Sequence, residues 1–417
     1  MLLRRFKRAA RRLPFFLLLV TSAPFILEVL IHIWRYKVPR PVAKLDPPFF
    51  TSCQEPDVAA ERENAVFVML ARNQERVKAK KTIRSIEAHF NKWFNYPILF
   101  LNDEPWDSRF VAELNATAGG RGIFEVIPKE QWTFPDWLDR DAAKKGIKEQ
   151  GKAGTVHAGQ EGYHHMCRFY SGKFYQLDVL QKYKWYWRLE PDVDFTCAIT
   201  YDPFVQMAKH KKVYGYTIAL WEVGRSCPSL FHATTDWKEL RGVPSSSLWN
   251  AMMEASWIPF PFRRFLSWIP HHDAYGDAWS LCHFWSNFEI ADMDFFRSEA
   301  YQDYFNYLDK KGGFYKERWG DAAVHSLAIA MLADPQQVHH FEDIGYRHAK
   351  FYQCPANAPE GQIPGSSSLA KNKPWSPEIA GGIGCRCECN GKKGRNYQTY
   401  CLDKLKQPNT PKTGWFS

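Results

Sequence analysis

The residues with the most chemical promise stand in Glu190-Pro191-Asp192-Val193-Asp194-Phe195, where three carboxylates fall at i, i+2 and i+4 behind Trp185, Tyr186, Trp187 and Leu189. If this segment stays extended, all three acids share one face at the C-terminal end of a buried strand, where ligands of open α/β sheets gather. Hard oxygen donors suit Mg2+ or Mn2+, and such an ion offsets charge building on a leaving nucleotide diphosphate. Asp192 and Asp194 also spell D-x-D, an acidic pattern of many nucleotide-sugar enzymes; on its own it equally describes an exposed turn. Glu289 lies in CHFWSNFEIADMDFF, surroundings so apolar that a carboxylate needs a partner or a shifted pKa. Its plainer role is a structural pairing with an arginine. Asp321 opens the helical run DAAVHSLAIAML, so it can cap or favour that helix start. His348 in IGYRHAKF offers a neutral imidazole to a borderline metal, or a purely structural ring.

These residues need a sheet to position them. Asn64-AVFVMLA-Arg72 is a short apolar run that suits a buried parallel strand, and Ile83, Ile86 and Phe90 then recur at helical spacing. YPILFLND supplies a second strand ending at Asn102 and Asp103. Strand, helix, strand opens an α/β nucleotide-binding layer. GIFEVIPK continues the strands, Gln176 to Tyr183 reads as the end of a helix feeding KWYWRLEPDVDF, and KVYGYTIALWE reads as one more strand.

The ends give the setting. MLLRRFKRAARR carries six basic residues and no acid, and is followed by a predominantly apolar stretch from Leu13 to Trp34. The expected organisation is a cytosolic basic tail at 1–12, a transmembrane signal-anchor at 13–34, a Pro-rich stem at 35–63, a catalytic domain at 64–355 and a Cys-containing C-terminal extension at 356–417. Pro14, Pro24 and Glu28 are blemishes in that span, the last tolerable near an interface. A cleaved signal peptide competes with the anchor, and both deliver the remaining chain to a lumen. Ten cysteines, four of them at Cys385, Cys387, Cys389 and Cys401, fit disulfides in an oxidising compartment better than zinc, because CxCxC lacks CxxC spacing. Asn115-Ala116-Thr117 is an N-glycosylation sequon. The net charge of +10 does not point to nucleic acid, because six of the positive residues sit in the first twelve.

At these residues the chain resembles the fungal α-1,2-mannosyltransferases of glycosyltransferase family 15, which build O-linked and N-linked mannose chains. The resemblance rests on PKEQWTFPDWLD, YHHMCRFYSGKFY, YWRLEPDVDF, YDPFVQM, KVYGYTIALWE, CHFWSNFEIADMDFFRSEAYQDYFNYLD, GGFYKERWGDAAVHSLAIA and IGYRH, in unchanged order over roughly 64–355. It implies a GT-A-type fold with a central mixed, mostly parallel sheet in a single-pass type II Golgi membrane protein with a lumenal catalytic domain. It also implies retaining transfer of mannose from GDP-mannose to the hydroxyl of a mannosylated glycan acceptor. On the family pattern Glu190 and His348 hold Mn2+, and Glu289 is the candidate nucleophile, acting by double displacement or by stabilising same-face attack. The same pattern puts Tyr163 near the reacting sugar and Asp321 in the site wall; Arg72 and Arg188 become diphosphate neighbours, and Asp192 and Asp194 secondary candidates. One departure is SLWNAMMEASWIPFPFRRFLSWIPHHD between Arg225 and Ala274, longer and more aromatic than the usual linker. It either covers core or shapes an acceptor groove or partner surface, and it prompts the rival reading of a non-catalytic sugar-binding scaffold in a complex with other mannosyltransferases. A secretory glycosidase is a third reading, since paired acids also cleave glycosides.

Overall fold

The structure is a computed structural model that describes residues 2–37, 47–359, 376–389 and 399–406, with side chains described for Leu17–Arg35 in the first of these segments and from Tyr400 in the last. Seven strands form the central sheet, in the spatial order Val338–His340, Tyr214–Tyr216, Ile290–Asp292, Trp185–Leu189, Ala65–Leu70, Ile98–Asn102 and Gly122–Val126. Only Ile290–Asp292 runs antiparallel to its neighbours. The α/β layer expected from the strand pattern, and the mixed, mostly parallel sheet implied by the family resemblance, are therefore present.

Alternation along each strand divides the core. Phe67, Met69, Trp185, Trp187 and Leu189 pack into one hydrophobic layer, while Val66, Val68 and Tyr186 face the other. Both faces are covered, which is why the strands read as continuous apolar runs. Arg188 shares the parity of Tyr186, so the same alternation turns its guanidinium toward the second layer.

Local structure departs from the sequence reading in several places. The strand at Trp185 stops at Leu189, and Asp192 adopts φ of 74°, a left-handed turn conformation. Val193–Phe195 then joins a separate three-stranded sheet beside Tyr346–His348, so the three carboxylates do not share one extended face. Left-handed backbone cannot continue an extended strand, so the side chains beyond Asp192 leave the face that Glu190 occupies. KVYGYTIALWE is likewise two strands in different sheets, Tyr214–Tyr216 and Ala219–Trp221. Instead of a helix at Gln176–Tyr183 there are single turns of tighter helix at Phe174–Gln176 and Asp178–Leu180.

The stem reading also needs correction at its C-terminal part. Residues 38–46 lie outside the described residues, but Phe49 stacks on His339 at 3.9 Å between ring centroids, and Cys53 is bonded to Cys385. Three more disulfides, Cys197–Cys387, Cys282–Cys401 and Cys354–Cys389, fasten the C-terminal extension to the body; Cys167 and Cys227 are unpaired and buried. At the other end a single helix, Leu2–Lys37, runs through Pro14 and Pro24, and its Leu17–Arg35 portion has a mean hydropathy of 1.9, long and apolar enough to cross a membrane.

Candidate active site

A cleft of about 320 Å³ opens at the C-terminal ends of the parallel strands. Its walls include Leu70, Ala71 and Arg72 at the end of Ala65–Leu70, Asn102 and Asp103 at the end of Ile98–Asn102, and Arg188, Glu190 and Pro191 at the end of Trp185–Leu189. Tyr163, Met166 and Tyr170, from the helix Glu161–Arg168 and the wide turn that continues it, close one side.

Arg188 is the hub. It is almost fully buried, with Nη1 2.6 Å from Asp321 Oδ2, Nη2 2.6 Å from Glu190 Oε1, and its guanidinium 3.7 Å from the centre of the Tyr170 ring. A guanidinium over an aromatic face and between carboxylates has its desolvation offset several times. Burial works against charge on Asp321, yet Arg188 holds its carboxyl below the usual range. Asp321 therefore does more than start its helix, and the positive helix end further favours its charge.

Glu289 stands behind this hub. It has no exposed surface and does not line the cleft. Its Oε1 accepts from the Tyr186 hydroxyl at 2.9 Å and its Oε2 from the Tyr214 hydroxyl at 3.0 Å; His325 Nδ1 is 3.2 Å from Oε2, and Arg188 Nη1 lies 3.8 Å from Oε1. Burial pulls the His325 pKa down, but Glu289 together with Asp321 and the Tyr170 carbonyl outweighs it and the net shift is upward. In this conformation Glu289 is therefore held behind the cleft wall rather than on it. The arginine pairing that its apolar surroundings suggested is present, strengthened by two tyrosines and a histidine.

Ser286-Asn287-Phe288-Glu289 reaches three members of the site. Ser286 donates to Asp321 Oδ2 at 2.8 Å, Asn287 meets His348 Nδ1, and Glu289 holds His325. His348 is half-buried and stacked on Trp285 with centroids 5.0 Å apart, and it sits opposite Val193, three residues beyond Glu190. The Asn287 Oδ1 atom is buried without a partner. The alternative amide orientation turns this oxygen toward a His348 Nδ1–H and makes Nε2 the lone-pair atom of the imidazole. Among the described residues no group of three or more His, Cys, Asp or Glu side chains is arranged to hold a metal. One carboxylate and one imidazole, with phosphate and water oxygens completing the shell, suit a cation of the Mg2+ or Mn2+ type.

The remaining sequence candidates divide. Tyr163 lines the cleft beside Arg318, whose Nη1 is 3.3 Å from the tyrosine oxygen, and burial pushes the Tyr163 hydroxyl well up. Arg72 lines the opposite rim, exposed and paired through two hydrogen bonds to Glu75. Asp192 and Asp194 do not line it: Asp192 faces Lys78 and Lys81, and Asp194 faces Lys81 and Arg347. Asn115 lies inside the helix Ser108–Thr117 with Oδ1 accepting from the Gly122 N–H at 3.0 Å, unlike the surface loop that a sequon favours. Sequence reasoning missed Tyr170 and His325. His325 follows Asp321 by four residues, one helical turn along the same face, and that spacing is the signal that could have found it.

Comparison with known proteins decides what this cleft belongs to. Residues 41–360 match the family described as glycolipid 2-alpha-mannosyltransferase. The chain belongs to that family. It is 37% identical to the probable mannosyltransferase KTR7 of Saccharomyces cerevisiae over 86% of this chain and 80% of the relative. It is 39% identical to the O-glycoside alpha-1,2-mannosyltransferase homolog 4 of Schizosaccharomyces pombe, over 82% of this chain and 77% of the relative. Among solved structures, core-mannan synthase A of Aspergillus fumigatus in its Mn/GDP form superposes with a TM-score of 0.69 at 31% identity, covering 88% of this chain and 91% of that one. The chain is therefore a glycosyltransferase with the GT-A-type fold of the fungal mannosyltransferases.

Proposed function

We propose that this transferase moves mannose from GDP-mannose, with retention, to the 2-hydroxyl of a mannoside on a glycoprotein glycan, with Glu190 and His348 holding a divalent cation, Mn2+ by analogy. The observation that carries the reading is the cleft at the strand ends, with Glu190 and Arg188 on its wall and His348 on the strand opposite Val193. The Mn/GDP form of the Aspergillus relative supports it. When bound, the cation neutralises charge building on the leaving diphosphate.

The chain's own residues do the rest. Arg72 and Arg188 face the diphosphate, Arg188 fixed in place by Asp321 and Tyr170 so that little reorganisation is needed as charge develops. Tyr163 forms the wall against the transferred sugar. Glu289 acts through Arg188 and His325, as a positioning residue, in the conformation described. Asp192 and Asp194 serve the surface instead. A type II anchor formed by the N-terminal helix, with the domain in the Golgi lumen, fits the four disulfides.

GDP binding followed by calorimetry with and without Mn2+ tests the ligand assignment. Mn2+ should tighten GDP binding, and Glu190→Ala or His348→Ala should remove that gain. A Mn2+ effect unchanged in both variants contradicts the assignment.

A further inference from the structure

The aromatic insertion is joined to the N-terminal helix by polar contacts. Glu28 in that helix accepts from the Phe260 N–H at 2.9 Å and pairs with Arg263 Nη2 at 2.6 Å. One turn on, His32 Nε2 meets the buried Asp277 Oδ1 at 2.8 Å. Phe25 and Phe262 lie against each other, with centroids 6.2 Å apart. The one acid of the apolar stretch and its histidine are thus both satisfied by residues 260–277.

Depth follows from helix geometry. If Leu13–Trp34 spans the hydrocarbon, it is roughly 32 Å long at 1.5 Å per residue, and Glu28 lies about 9 Å short of its Trp34 end. A segment that hydrogen-bonds Glu28 must therefore reach the outer part of the bilayer on the catalytic-domain side. The side chains it carries suit that level. Phe265 and Trp268 are 72% and 80% exposed, and Trp257, Phe260 and Phe262 are exposed as well. Aromatic residues favour the headgroup boundary, and arginines such as Arg263 and Arg264 keep their charged ends paired or in water there.

We propose that residues 257–268 form a membrane-docking element, with Phe262, Phe265 and Trp268 inserted among lipids beside the anchor helix. The catalytic domain is thereby held against the bilayer surface at a fixed orientation. This rests on reading the N-terminal helix as a membrane anchor. The Glu28–Arg263 and His32–Asp277 pairs couple the two, so the domain is not free to swivel on its stem.

Full-length protein reconstituted into phosphatidylcholine vesicles that contain a lipid spin-labelled near its headgroup tests this. A fluorescent dye is attached to Phe265→Cys or Trp268→Cys, and to Lys145→Cys on the exposed helix Arg140–Lys152 as reference. Retention on the vesicles through an alkaline wash reports the anchor. The expected result is retention of all three proteins, with the dyes at 265 and 268 quenched several-fold more than the dye at 145. Retention with equal quenching at all three sites overturns the docking element and leaves the anchor standing. Loss from the vesicles overturns both.

Discussion

Nη1 of Arg188 stands 2.6 Å from Oδ2 of Asp321, joining the end of a central strand to the start of the helix Asp321–Leu332. Both residues are buried, so the pair is structural as well as electrostatic. Removing one partner of a buried pair leaves an uncompensated charge. Asp321→Ala should therefore lower the unfolding free energy by on the order of 3 kcal/mol in urea titration. A loss within about 0.5 kcal/mol, the range of surface changes, would mean that Glu190 and Glu289 suffice to hold Arg188.

Glu289→Gln keeps the side-chain volume but removes the charge that raises His325. His325 has a folded pKa above its ordinary value near 6.5, so its contribution to stability is fully present below that value. It is lost as pH rises through the raised value. The variant should show a weaker fall in stability over that window, followed by thermal unfolding across pH. Its turnover should fall much more than its Mn2+-dependent GDP binding, whereas Glu190→Ala should weaken that binding. Equal effects on binding by the two substitutions would contradict the division of roles.

Asp343 gives an independent pH signal away from the cleft. Burial raises its carboxyl to about 6, although the Tyr201 hydroxyl donates to it. The folded state holds this proton more tightly, so stability from Asp343 is full below 3.8 and is lost as pH rises through about 6. Asp343→Asn keeps an acceptor for Tyr201 and should flatten the stability profile between about 4 and 6. An unchanged profile would show that Asp343 is not the group titrating there.

Four disulfides leave two thiols. Unfolded, unreduced protein should therefore release two titratable thiols, Cys167 and Cys227. Replacing Cys282 and Cys401 together by serine should cost roughly 2–5 kcal/mol, because their bond closes a loop with a sequence separation of 119.

Sequence patterns reported the sheet well because strands buried on both faces are continuous apolar runs, as Ala65–Leu70 and Ile98–Asn102 are. They also reported Glu190 at a strand end. What they could not report is direction. The left-handed turn at Asp192 removes Asp192 and Asp194 from the cleft, and nothing in E-P-D-V-D-F distinguishes that turn from continued extension. Glu289 was legible as a carboxylate in need of partners, but Tyr186, Tyr214 and His325 come from distant segments brought together only by the fold. The pairing of the aromatic insertion with Glu28 spans 235 positions at its longest, beyond the reach of any local pattern.

Mannosyl transfer is the activity proposed for this cleft. Folded full-length protein incubated with GDP-mannose, Mn2+ and methyl α-mannoside, with linkage analysis of the product, tests it most directly. The expected product is an α-1,2-linked disaccharide whose formation stops with EDTA and returns with Mn2+. No transfer by folded protein across a panel of mannosides, or transfer indifferent to EDTA, would contradict it.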